Sequence, residues 1–229
     1  MESDQQQTSD RSIEIYNLII LDESGSMESI KKETISGFNE VVQTIKSSQE
    51  EYKDQKNYIT LVSFNTMGIK TVLNLVPAAE LNEINGQNFR PNASTPMLDA
   101  IGFSCSRLRH ALSEKTDYKV LVTILTDGEE NSSREYSYPA IKRLIEELRG
   151  EGWVFTFMGA NIDVDEMADR ISINNKMSFV SDSEGVKEAF KMEKSARMMY
   201  HMKINEKRLD LDNYYEDKNL NKHPKKDKK

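Results

Sequence analysis

Cysteine is almost absent: Cys105 stands alone in 229 residues. A lone thiol excludes an intramolecular disulfide framework and fits a reducing compartment. Histidine is scarce as well, three in all. His110 and His201 lack ligand spacing to each other or to Cys105, so no nitrogen-and-sulfur metal cluster is laid out along the chain. Long apolar runs are missing. Leu18–Leu21 is among the longest, whereas a membrane span needs about 20 residues. The N-terminal MESDQQQTSDR has neither the positive start nor the apolar stretch of a secretory signal. A basic excess is missing too. Lys plus Arg number 31 against 38 Asp plus Glu, a net charge of −7, which argues against a general nucleic-acid binder. These absences lead us to expect a soluble, cytoplasmic protein with no nucleic-acid or membrane partner.

What is present is an alternation of strand and helix patterns. Ile13–Leu21 (IEIYNLIIL) begins with period-two spacing and ends as a continuous apolar run, the signature of a buried strand. Ile30, Thr34, Phe38, Val41, Val42 and Ile45 then recur at three and four residues and predict a helix. Tyr58–Phe64 and Thr71–Val76 are β-rich and too close together for a crossover helix, so they are expected to pair antiparallel. Asn85–Thr95 reads as a loop, and Ile101, Cys105, Leu108 and Leu112 as a helix. Lys119–Leu125, Trp153–Met158 and Met177–Val180 read as three more strands. Helices are expected after Pro139, over Val164–Ile171, and from Glu184 to Met202 with Val186, Ala189 and Phe190 inward. The order is β-α-β-β-α-β-α-β-α-β-α. It implies a mostly parallel six-stranded sheet with one antiparallel edge strand and helices on both faces.

The ends differ in composition. Residues 1–11 are polar and residues 204–229 charged, and both are expected to lie outside a domain spanning residues 12–203. Lys218–Lys229 holds six lysines and one acid. The bland reading of that run is a solvated, disordered end, and the sharper one a contact with an acidic partner or nucleic acid.

Ligands of open α/β sheets bind beyond the carboxyl ends of the strands. Three polar segments fall there: Asp22-Glu23-Ser24-Gly25-Ser26, Ser94-Thr95-Pro96, and Thr126-Asp127-Gly128-Glu129-Glu130. Asp22, Ser24 and Ser26 alternate, so an extended turn aims them the same way. With Thr95 and Asp127 they offer oxygen only, a donor set that selects Mg²⁺, Mn²⁺ or Ca²⁺ over zinc or copper. Two carboxylates only balance a divalent ion. The ion is left able to accept one more anionic oxygen, such as the carboxylate of a glutamate or aspartate on another protein.

The segments DESGS, STP and LTDGEEN, in this order and within this alternation, resemble the von Willebrand factor A domain and its metal-ion-dependent adhesion site, D-x-S-x-S … T … D. The resemblance covers about Ile13 to Phe190. It implies a Rossmann-like, doubly wound α/β fold and a non-enzymatic module that binds an acidic side chain of a protein partner through Mg²⁺, within a larger complex in some intracellular relatives. It also implies that Ser24 and Ser26 bind the metal directly, that Thr95 binds directly or through water, and that Asp22 and Asp127 orient waters. A coupling of the metal contacts to movement of the last helix is a further implication.

Each segment has a plainer reading. Asp22 and Ser26 could cap a helix, Thr95 before Pro96 is an ordinary helix start, and Asp127-Gly128 an ordinary turn. Two other functions stay open at this point. One is a Mg²⁺-dependent phosphatase or nucleotide hydrolase on a similar sheet, although Ser24 stands where an aspartyl-phosphate enzyme wants a second acid. No phosphate-binding G-x-x-x-x-G-K-[ST] loop is present either. The other is a metal-independent scaffold. Glu23, Glu129 and Glu130 are expected to be solvated or structural, with Glu23 facing away from Asp22. Phe89 and Arg90, in the loop before the second large helix, are candidate partner contacts. Cys105 reads as core, and Met192, Met198, Met199 and Met202 as packing.

Overall fold

β1 (Ile13–Asp22) is buried from Ile15 onward, as a strand covered on both faces must be. Its side chains split by alternation. Tyr16, Leu18 and Ile20 enter one core, and Ile15, Ile19 and Leu21 pack on the opposite face. The computed structural model describes residues 12–208, 210, 211 and 213–215. After β1 come a 3-10 turn (Gly25–Ile30), α1 (Lys31–Glu51), β2 (Gln55–Asn65), β3 (Gly68–Pro77), α2 (Met97–Ala111) and β4 (Tyr118–Thr126). α3 (Tyr138–Gly150), β5 (Trp153–Gly159), α4 (Val164–Arg170), β6 (Asn175–Ser178) and α5 (Ser183–Asn205) complete the order.

The six strands form one sheet in the order β3-β2-β1-β4-β5-β6. All pairs are parallel except β2–β3, where a two-residue connection leaves no length for a crossover. Apolar residues of α2, α3 and α4 close the core over one face. α1 and α5 cover the other face and pack against each other. Their approach is close: a Cβ on Gly37 of α1 would stand 2.1 Å from the Phe190 ring of α5. Cys105 is buried in the first core.

Three expectations are corrected. β6 begins two residues earlier than read, at Asn175, and Val180 is exposed. α5 runs on to Asn205. The chain past residue 203 is not all external: Leu211 and Tyr214 are buried, and Tyr214 and Tyr215 both hydrogen-bond to α5. Residues 216–229, including the lysine run, and residues 1–11 lie outside the described residues.

A buried polar cluster sits under α5. Arg197 donates to Glu193 (2.7 Å), Asn17 of β1 (2.7 Å) and Thr123 of β4 (2.9 Å). The Tyr214 and Tyr215 hydroxyls donate to the two oxygens of Glu193 at 2.8 and 2.7 Å. One turn on, His201 pairs with Gln55: Nδ1 lies 2.8 Å from Oε1, and the Gln55 amide donates to the His201 carbonyl at 2.9 Å. Burial, with the Arg197 charge adding to it, pushes the His201 ring down to about 3.

Candidate metal centre

β1 and β4 lie side by side in parallel, so their carboxyl ends bring Asp22 and Asp127 to the same edge of the sheet. Asp22 is fully buried. Its Oδ1 accepts the Ser24 N–H at 2.7 Å and its Oδ2 the Thr126 hydroxyl at 2.6 Å. Burial pushes its carboxyl up to about 6. Those two hydrogen bonds oppose the shift and the Asp127 charge adds to it. Asp127 is likewise raised, chiefly by burial.

The hydroxyls converge on Asp127. Ser26 Oγ donates to Asp127 Oδ1 at 2.5 Å, and Ser24 Oγ lies 3.1 Å from Ser26 Oγ. With Ser26 donating to the carboxylate, the shared proton between the serines comes from Ser24. Gly128 marks where Thr95 arrives: a Cβ there would be 3.5 Å from both Ser26 Oγ and Thr95 Oγ1. Ser181, after β6, reaches Asp127 Oδ2 at 3.5 Å. Ser24, Thr95 and Asp127 are buried and Ser26 is exposed, so the group opens to solvent at Ser26.

The capping alternatives can be checked directly. Neither the 3-10 turn nor α1 has a side-chain cap bond: Asp22 accepts the N–H of Ser24, before the turn begins, Ser26 Oγ donates to Asp127, and Ser24, at the N-cap of the turn, makes no cap bond either. α2 starts at Met97, and Thr95 does not cap it. The acceptors come from the loop after β4 instead: Glu130 takes the Leu98 N–H (2.8 Å) and Ser133 Oγ takes the Asp99 N–H (3.0 Å). Asn131 locks the two loops together, its Oδ1 accepting the Thr95 N–H at 3.0 Å and its own N–H reaching the Thr95 carbonyl at 3.2 Å. The Ser24 and Thr95 hydroxyls are therefore not used to start helices.

Five oxygen-bearing side chains from three loops thus meet in one place. No lysine or arginine among the described residues forms an ion pair with Asp22 or Asp127, and no three His, Cys, Asp or Glu side chains cluster as a metal site would. Any cation here must take its ligands largely from hydroxyls. That donor chemistry fits a hard divalent ion and does not fit a thiophilic one.

Sequence reasoning missed several supporting residues. Thr126, which holds Asp22, carried no signal beyond its place in the LTDGEEN segment. Glu23 does face away from Asp22. It is buried, and it accepts from Ser63 Oγ (2.9 Å) and Lys70 Nζ (3.3 Å) and from the Arg90 N–H. Glu130 is also structural and Glu129 is exposed. Phe89 is a correction: it is 1% exposed, packed in the α1 side core under its own loop, and its ring is not available to a partner. Arg90 is exposed on that loop.

The model of the von Willebrand factor type A domain matches residues 18–192. The chain belongs to that family. VWA domains are typically protein-interaction modules rather than enzymes. No curated protein matches the chain. Among solved structures, the SpRpn10 VWA domain aligns at 8% identity over 78% of this chain and 94% of that one, TM-score 0.51. The pilus adhesin SpaC from Lactobacillus rhamnosus GG, in an open conformation, aligns at 12% identity over 82% of this chain, TM-score 0.59. Proximal thread matrix protein 1 from the mussel byssus aligns at 15% identity over 82%, TM-score 0.53. The chain spans 30% of the adhesin and 47% of the byssus protein. At such identities these likenesses bear on the fold alone. No helix among the described residues is long and apolar enough to cross a membrane.

Proposed function

We propose that this VWA domain is a metal-dependent protein-binding module. Mg²⁺, with Mn²⁺ or Ca²⁺ as substitutes, would be held by Asp22, Ser24, Ser26, Thr95 and Asp127, and a glutamate or aspartate of a protein partner would complete its ligands. One observation carries the reading. Hydroxyls from two loops gather around a carboxylate that forms no ion pair among the described residues, and the adjacent helix starts do not use them. A bound divalent ion supplies the Lewis acidity that attracts a further carboxylate. The protein's part is to hold the donors: Thr126 fixes Asp22, and Asn131 fixes the Thr95 backbone. A cytoplasmic setting belongs to the same reading and rests on composition.

Thermal unfolding with and without 5 mM Mg²⁺ or Mn²⁺ tests it. The metal is expected to raise the Tm, the stabilisation being RT ln(1 + [L]/Kd), about 1–3 kcal/mol at 10- to 100-fold saturation. Asp127→Ala and Ser26→Ala should each abolish the rise. No shift at any metal concentration sinks the reading in favour of a metal-independent scaffold. Turnover of p-nitrophenyl phosphate that Asp22→Ala removes would instead establish a hydrolase.

A further inference from the structure

A cavity of about 1150 Å³ runs down the side of the domain between α2 and the outer strands. It exists because α2 packs over β1 and β2, while β3 continues the sheet beyond it. Val62 of β2, Ile69 and Leu75 of β3, and Phe103 and Leu108 of α2 give it apolar walls.

Four features point to an occupant. The first is exposed apolar surface. Phe103 is 46% exposed and lines the groove, and Met67, 74% exposed, tops the β2–β3 turn between the lining residues Thr66 and Gly68. The second is charge. Arg107, Arg134 and His110 line the groove in a chain of net charge −7. Arg107 reaches across from α2 to Thr71 Oγ1 of β3 at 3.1 Å. The lining carboxylate, Asp99, spends its oxygens on the backbone N–H groups of Arg134, Glu135 and Tyr136. The third is an orphan: Ser104 lines the groove, is 6% exposed, and its hydroxyl has no hydrogen-bond partner among the described residues. The fourth is position. Pro96 and Asn131 line the upper end of the groove, and both adjoin Thr95, one in sequence and one through two hydrogen bonds.

We propose that this groove receives the stretch of partner polypeptide that flanks the acidic residue bound at the metal. The stretch is acidic and apolar, with carboxylates on Arg107 and Arg134 and apolar side chains against Phe103 and the β3 floor. This rests on the metal-dependent reading above and extends it to the partner's composition. Aromatic and Arg anchors beside an apolar floor are the usual energetic centre of such a contact.

Random 12-residue peptides displayed on phage, selected on the full chain in Mg²⁺, provide the probe. Each recovered peptide is synthesised and its Kd measured by fluorescence anisotropy on the wild type, on Phe103→Asp, on the double variant Arg107→Glu/Arg134→Glu, and on Asp127→Ala. The proposal expects peptides rich in Asp, Glu, Phe and Leu. They should bind at least tenfold more weakly to both groove variants, while those variants keep the wild-type Mg²⁺ affinity by calorimetry. Recovery of neutral or basic peptides, or of none, overturns it. Binding to the groove variants within twofold of wild type also overturns it and assigns the partner to the metal alone. So does a wild-type dimer in sedimentation that Phe103→Asp dissolves, because the occupant is then a second copy. Acidic peptides that need the groove but bind equally in EDTA and to Asp127→Ala support the groove and overturn the metal reading, so the two failures are distinguishable.

Discussion

Two of the places where the domain buries charge are built on opposite plans. Under α5, the Glu193 carboxylate meets Arg197 and two tyrosine hydroxyls, and the guanidinium is spread over Asn17 and Thr123. Charge is matched and the polar atoms at its centre are satisfied. At the carboxyl ends of β1 and β4, burial raises both Asp22 and Asp127 and the Asp127 charge adds to the rise of Asp22, with hydroxyls and N–H groups for company and no ion-paired lysine or arginine among the described residues. The first arrangement is complete in itself. The second carries surplus negative charge beside an exposed serine, which suits a place meant for something from solution. Burial alone does not distinguish a structural polar cluster from a functional one; the charge balance does.

Single substitutions should separate the two places by sign. Arg197→Met leaves the Glu193 carboxylate buried without its cation. Urea unfolding is expected to show a loss of about 3–5 kcal/mol, and a loss below 1 kcal/mol would erase the contrast. Asp22→Asn should act in the opposite direction. In EDTA at pH 7 it removes a charge that burial disfavours, while Thr126 can turn its hydroxyl to accept the new amide. A gain on the order of 1–3 kcal/mol is expected in the metal-free chain, together with loss of the Mg²⁺ response. If the metal-free variant is destabilised as Arg197→Met is, the two sites are alike.

The effect of pH comes last: it is spread over several units and is smallest per unit. His201 titrates at about 3 in the folded chain, against about 6.5 when unfolded. Between those values the unfolded chain binds more protons, so stability rises with pH. The contribution is fully present above about 6.5 and is lost as pH falls toward about 3, with a slope of up to ~1.4 kcal/mol per pH unit. His201→Gln should flatten the dependence between pH 6.5 and 5 relative to wild type. Equal slopes would mean that His201 is not held neutral.

Much of this was legible in sequence, and the gaps have physical causes. Strand and helix order followed from period, because β1, β4 and β5 are mostly apolar stretches too short for a helix and α2 carries its apolar residues at three and four. Asp22, Ser24, Ser26, Thr95 and Asp127 could be singled out because strand ends gather polar loops, and the fold brings these five together. The interior of α5 was not legible. Glu193, Arg197 and His201 recur every four residues, the same spacing as a solvated stripe, and only Asn17, Thr123 and Gln55 on the sheet turn that stripe inward. Phe89 misled because a loop aromatic between polar neighbours looks exposed. Here the loop folds back on α1, with the Asn39 side chain bonded to both the N–H and the carbonyl of Ile84. The tyrosines at 214 and 215 were hidden by the charged residues around them.

The borrowed start of α2 also bears on synthesis. Two of its first-turn N–H groups, at Leu98 and Asp99, are accepted by Glu130 and Ser133, more than thirty positions later. A nascent chain that has left the ribosome only as far as α2 has a frayed first turn there. Thr95 therefore settles beside Asp127 only once the stretch through Ser133 has emerged and docked, so the gathering of these hydroxyls waits on residues well past the helix they precede.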